Sequence, residues 1–300
     1  MKFLTITFMI GFLTVVLISC NHQDSKKTKQ GSTNQTKLEV QNSQELIDLF
    51  TRKDYLLEGV KRSKTCPGIF ITNIPRSLQT IPVQQRKSLF IRLILPNVLK
   101  ANEDIISTRK ELEVIITKIK QHISITKVDS ALLSRLAVLY KTSPADIKEL
   151  ALRIDIIPPS LAIAQAIDES GWGTSHFAIE GNCLFGQHTS MHSNGKYIPV
   201  NGSSIQMAAY ETILEATKGY MHNLNTTSAY HDLRKQRAIM RNSNEHIDGN
   251  KLADSEIHYS KRGEGYVKMI QGFIKNDHLS DLDYVKLENH DQGVVIFIKQ

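Results

Sequence analysis

Leu161-Ala162-Ile163-Ala164-Gln165-Ala166-Ile167-Asp168-Glu169-Ser170-Gly171-Trp172-Gly173 is the stretch on which the fold turns. Ile157-Pro158-Pro159-Ser160 opens it, and proline at a first helical position is pre-set for a helix and gives up an N–H that would have no partner anyway. From Leu161 to Ile167 almost every side chain is small or apolar, which predicts a helix buried on nearly all sides rather than along one stripe. The helix has to stop near Ser170-Gly171, where glycine relieves the left-handed conformation of a helix end.

Glu169 falls on the last turn of that helix, with Trp172 between two glycines just beyond. Burial, an adjacent apolar indole and the partial negative charge of a helix C-terminus would each raise the pKa of a carboxyl there. A carboxylic acid still protonated near neutral pH is what glycosidic cleavage uses to protonate the leaving oxygen. Composition alone favours the plainer reading, a solvated glutamate beside a helix end.

Outward from this helix the pattern stays mainly helical. On the N-terminal side, Ser43 to Tyr55, Gln85 to Leu95, Asn97 to Thr117 and Ser130 to Tyr140 have helical character, and Ser143-Pro144-Ala145-Asp146 reads as the cap of a further helix to Arg153. Pro67, Pro75, Pro82 and Pro96 each predict a break at their own position. On the C-terminal side, Asn194-Gly195 and Asn201-Gly202 mark tight hairpins in the polar stretch His188 to Gln206. They predict a two- or three-stranded lobe. Helices then cover Ala208–Asn223, Tyr230–Asn242 and Gly265–Asn276, and Gly293 to Lys299 reads as a β-like run.

The N-terminus carries an export pattern. Lys2 precedes an apolar run from Phe3 to Ile18, short for a membrane span and suited to a signal-peptide core. Leu17-Ile18-Ser19-Cys20 resembles a bacterial lipobox, which implies lipidation of Cys20 and attachment to a membrane. Residues 1–19 are then a lipoprotein signal peptide. Residues 20–42, rich in Asn, Gln, Ser, Thr and Lys, read as a flexible tether. Residues 43–150 form a helical N-terminal region, 151–290 the domain built on the Glu169 helix, and 291–300 a C-terminal tail. Cys66 and Cys183 remain, and sequence leaves open whether they pair or stay as two buried thiols.

The net charge of +7 suits an anionic partner. No basic stripe is interleaved with aromatics, so nucleic acid is the least fitting of these, behind lipid headgroups and the carboxylates of a cell wall. His188 and His192 have metal spacing only if helical, and their Thr, Ser, Asn and Gly neighbours predict a loop. No metal and no cofactor are expected.

Gln165-Ala166-Ile167-Asp168-Glu169-Ser170-Gly171-Trp172-Gly173-Thr174-Ser175, followed by Asn182-Cys183-Leu184-Phe185-Gly186, resembles the signature of the bacterial glucosaminidase domain of glycoside hydrolase family 73. Within that family the likeness is greatest to Bax-type members. Its carriers are Tyr220-Met221-His222-Asn223-Leu224-Asn225, Ala229-Tyr230, Leu233-Arg234, Tyr259-Ser260-Lys261-Arg262-Gly263-Glu264-Gly265-Tyr266 and the region Lys87–Leu99. The resemblance spans roughly residues 66 to 287. It implies a lysozyme-like helical domain with a small β lobe, acting on the glycan of peptidoglycan after N-acetylglucosamine. It implies Glu169 as general acid, and Tyr259 or Tyr266 as the phenol that orients the sugar's acetamido group. Ser170, Trp172, Asn182 and Phe185 are the further substrate-binding candidates, with Trp172 read more readily as a core plug than as a sugar platform. Tyr220 and Met221 read as core.

In one place the chain departs from the family. Several members carry a second acid in the β lobe, whereas His188 to Gln206 holds no Asp or Glu. Glu180 and Glu211 flank the lobe. Asp168 adjoins Glu169, but consecutive helical residues point about 100° apart. The gap fits cleavage assisted by the substrate's own acetamido oxygen. It also fits a silent, lipid-anchored wall-binding protein, and a lytic transglycosylase is the remaining alternative.

Overall fold

In a computed structural model the described residues are 36–189, 196–200, 202–204, 206–256, 263–288 and 293–299. The signal-peptide and Cys20 readings, Tyr259, His192 and both Asn-Gly turns involve residues outside that set. The elements run β1 (Thr36–Val40), α1 (Ser43–Arg52), α2 (Leu57–Ser63), β2 (Thr65–Cys66), β3 (Ile69–Ile71), α3 (Val83–Lys120), α4 (Lys127–Leu139), α5 (Ile147–Arg153) and α6 (Pro159–Ser170). They continue as α7 (His176–Gly181), β4 (His188–Thr189), β5 (Tyr197–Pro199), β6 (Gln206–Ala208), α8 (Ile213–Thr226), α9 (His231–Asn242), α10 (Gly249–Ala253), α11 (Glu264–Asn276), β7 (Lys286–Leu287) and β8 (Val294–Ile298). The protein is mainly α, and these elements belong to one unit, Thr33–Gln300.

Helix α6 is the core helix its sequence predicts. Pro159 to Ile167 are all buried, against α3, α10, α11 and the 3-10 turn Leu279–Tyr284. Both of its ends are fixed. At the start, the Asp283 carboxylate accepts from the Ser160 N–H and hydroxyl, each at 2.7 Å, and from the Gly249 N–H at 3.2 Å. Gly249 must lack a side chain, since a β-carbon there would stand 2.8 Å from the Leu161 nitrogen. At the far end Gly171, Trp172 and Gly173 all take positive φ, and the Ser170 hydroxyl accepts the Gly173 N–H at 2.9 Å.

Several sequence expectations are corrected. Pro96 does not break its helix: α3 runs through it for 38 residues, roughly 57 Å at the usual rise. Proline leaves the carbonyl four residues back without its helical donor. Here that carbonyl, Arg92 O, accepts the Tyr55 hydroxyl at 3.0 Å, and the Asn97 amide donates to Leu93 O at 2.8 Å. Residues 36–40 are not tether. They form β1, parallel to β8, which is itself the centre of the sheet β1-β8-β3, so the C-terminal run is a structural strand. Asp146, not Ser143, caps α5 by accepting the Glu149 N–H. Cys66 and Cys183 are free and buried, and burial pushes their thiols up to about 12 and about 11.

The linker between α5 and α6 is tied down by charge. Asp155, 2% exposed, takes Arg241 Nε at 2.6 Å and lies 3.3 Å from Arg109. The fully buried Arg237 donates to the carbonyls of Leu152, Asp155 and Ile156 and to Asn225 Oδ1. The small lobe is the antiparallel sheet β4-β6-β5, with Ile198 opposite Met207.

Candidate active site

Gln165 and Glu169 sit one helical turn apart on α6, so both point to the same side. They form one wall of a cleft of about 270 Å³. Phe185 to Gln187, in the segment between α7 and β4, and His188 at the start of β4 form a second wall. Tyr220 and Asn223 of α8, Tyr230 from the 3-10 turn Ser228–Tyr230, and Tyr266 of α11 close the rest. The Phe185 ring stacks on Tyr220 with centroids 4.0 Å apart and planes 10° apart.

Glu169 is exposed to the cleft, in contrast to the buried residues that precede it. The expected burial of this carboxyl is thus corrected: burial on all sides ends at Ile167. Gly186 approaches this carboxyl closely across the cleft and has a φ of +61°. A β-carbon on Gly186 would overlap Glu169 Oε2.

Behind Glu169 the polar groups converge on Gln165, which is 4% exposed. Its Nε2 donates to Tyr266 Oη and to Glu256 Oε2, both at 2.8 Å, and its Oε1 accepts the Tyr220 hydroxyl. Burial, with Glu256 nearby, raises the Tyr266 phenol pKa well above its ordinary value. On the lobe side the Tyr210 hydroxyl donates to Gln187 Oε1 at 2.5 Å, and burial pushes that phenol up to about 12.

Of the residues expected from sequence, Glu169, Phe185 and Tyr266 meet in the cleft. Three others do not line it. Trp172 packs edge-on against Phe90 and Phe273, with the Lys87 ammonium 4.6 Å above its ring, so it is a plug between α3 and α11. Ser170 is fully buried and spends its hydroxyl on Ala166 O and the Gly173 N–H. Asn182 caps α7 in the left-handed conformation, and its amide donates to Tyr210 O and Glu211 O.

The flanking acids are engaged elsewhere. Glu180 pairs with Arg76 at 2.5 Å and Glu211 with Lys196 at 2.6 Å, and Lys196 holds the Glu211 carboxyl below its usual range. Tyr220, expected as core, is indeed 3% exposed and still lines the cleft. Gln165, Asn223, Tyr230 and Glu256 were not singled out from sequence. The first three lie inside stretches shared with the family, and that was their available signal. Glu256 had none. Among the described residues no group of three or more His, Cys, Asp or Glu is placed to hold a metal ion.

Residues 145–279 match the family model Glucosaminidase, described as mannosyl-glycoprotein endo-beta-N-acetylglucosaminidase. Over 187 residues the chain is 30% identical to Protein bax of Escherichia coli (strain K12), a match spanning 60% of this chain and 66% of that protein. The catalytic domain of the autolysin Auto from Listeria monocytogenes overlays with a TM-score of 0.32 at 16% identity, covering 57% of this chain and 96% of that domain.

Proposed function

This chain carries a glucosaminidase-family domain over residues 145–279, and from that premise we propose that it hydrolyses the β-1,4 bond after N-acetylglucosamine in peptidoglycan glycan strands, with Glu169 as general acid. The observation that carries this reading is the placement of Glu169. It is the one carboxylate among the described residues lining the cleft, and a glycine keeps the opposite wall clear of it. Glu180 and Glu211 are held by Arg76 and Lys196, and residues 188–206 and 257–262 contain no acid at all.

With one carboxylate, the sugar's acetamido carbonyl oxygen is the nucleophile. It attacks C1 from the face opposite the leaving group while Glu169 gives its proton to the departing oxygen. Water then opens the resulting oxazolinium ring at C1, giving its proton to the Glu169 carboxylate and restoring the acetamide. In this step Tyr266 is the phenol that orients the acetamido group. On this reading the chain is also exported and held to a membrane by lipid on Cys20, which the Leu17-Ile18-Ser19-Cys20 pattern supports. Cys20→Ala should release it or leave the precursor unprocessed.

Mass spectrometry of digested sacculi tests the reaction. Reducing N-acetylglucosamine ends are expected. Anhydro-muramic ends would identify a lytic transglycosylase, and intact sacculi a silent wall-binding protein.

A further inference from the structure

Glu256 ends the 3-10 turn Asp254–Glu256 and is 1% exposed. Its Oε2 accepts one N–H of Gln165, and its Oε1 is buried without a hydrogen-bond partner. No cation among the described residues pairs with it. We propose that Glu256 is a positioning residue for the cleft, acting through the Gln165 amide to fix the orientation of Tyr266 and Tyr220. This rests on the glycan-cleaving reading of the cleft and extends it to a residue that does not line the cleft.

Three partners surround the Gln165 amide, and they are not equivalent. The hydroxyls of Tyr220 and Tyr266 can each give or take a hydrogen bond, so neither settles which way round the amide lies. Glu256 does, because its Oε2 accepts from Gln165 while Oε1, the oxygen left to carry the proton of a neutral acid, makes no hydrogen bond to Gln165. Nε2 must then face Glu256 and Tyr266, and Oε1 must face Tyr220. Because Tyr266 Oη receives the Gln165 N–H, the phenol's own proton is directed away from Gln165. Without Glu256 the amide is free to turn over, and Tyr266 would then donate to Gln165 instead.

Glu256 performs this task as a neutral acid. An ionised carboxylate buried with a single amide donor and no counter-charge among the described residues is costly, and burial pushes this carboxyl up to about 8. With Oε2 occupied as acceptor, the proton resides on Oε1. A glutamine at 256 reproduces that arrangement, with its carbonyl in place of Oε2 and its amide in place of the hydroxyl. A leucine does not.

Kinetics of the full chain on sacculi, with Glu256→Gln and Glu256→Leu, test the proposal. Glu256→Gln should keep kcat within about threefold of the wild type, and Glu256→Leu should lower it about tenfold or more with KM nearly unchanged, the scale of one lost buried hydrogen bond. A Gln variant that loses activity like the Leu variant, or a Leu variant with full kcat, overturns it. If Glu256→Leu does not fold, Glu256→Gln decides. Exchange of the Gln165 side-chain amide protons by NMR gives a readout independent of turnover. Protection in the wild type and in Glu256→Gln supports the proposal, and rapid exchange of both protons in the wild type overturns it. A wild type that leaves sacculi intact defeats the proposed function instead, and the exchange measurement still decides the role of Glu256.

Discussion

The Glu169 carboxyl rests against the Cα of Gly186: a β-carbon at 186 would overlap Oε2 and stand 3.0 Å from Cδ. The two residues come from different parts of the fold, the last turn of α6 and the segment between α7 and β4. Their contact leaves no room for a side chain at 186 while the acid keeps its place. Gly186→Ala should therefore swing the carboxyl away from its position and reduce kcat by about a hundredfold, the scale of a misplacement near 1 Å. The positive φ at 186 adds a strain of about 1–2 kcal/mol, so the variant should still fold. A folded Ala variant with wild-type turnover would mean the position of Glu169 is not set in this way.

Substrate assistance has a stereochemical consequence. Two inversions at C1 amount to retention, so proton NMR of fresh product, taken before mutarotation, should show the β anomer. Glycans stripped of N-acetyl groups should resist cleavage, with binding checked separately. An α product would require an attacking water and a general base, and no carboxylate other than Glu169 lines the described cleft.

The buried acid at 256 makes stability depend on pH. From 4.5 in the unfolded chain to about 8 in the folded one, the unfolded state loses this proton while the folded state keeps it. The folded chain then binds more protons, so this contribution falls as pH rises through that window. Glu256→Gln removes the dependence. Thermal unfolding should show the variant more stable than wild type at pH 8, by on the order of a few kcal/mol, with the gain vanishing below pH 4.5. An equal offset at both pH values would contradict a neutral Glu256.

Asp155 behaves in the opposite sense. Burial would raise its pKa, but Arg237, Arg241 and Arg109 together hold it below the usual carboxylate range. Its stabilising contribution is present above the unfolded pKa and is lost as pH falls through the folded value. Asp155→Ala leaves buried guanidinium groups without their counter-charge and should cost about 3–5 kcal/mol in urea unfolding. A loss below about 1 kcal/mol, the scale of an exposed pair, would show that this cluster does not anchor the linker to α6.

What the sequence made legible follows from how far each cause lies along the chain. Helix α6, its stop at Gly171 and the Trp172 plug are written within a few residues, as runs of small apolar side chains and paired glycines. The continuity of α3 is not, because the donor that rescues the Arg92 carbonyl is Tyr55. The pairing of β1 with β8 joins the two ends of the described chain, and no local pattern announces it. In the site, Glu169 and Tyr266 were visible through the family signature. Ser170 and Asn182 belong to the same signature and are structural, since a motif does not separate residues that face substrate from those that hold the turn. Glu256 was invisible because its chemistry comes entirely from burial against Gln165.

The role of Glu169 is the centre of the account, and Glu169→Gln on purified sacculi tests it most directly. The substitution keeps size and hydrogen-bonding shape and removes the transferable proton. Release of reducing N-acetylglucosamine ends should fall by at least about a hundredfold, with circular dichroism and thermal unfolding unchanged. A folded Gln variant that still releases those ends at the wild-type rate would contradict it.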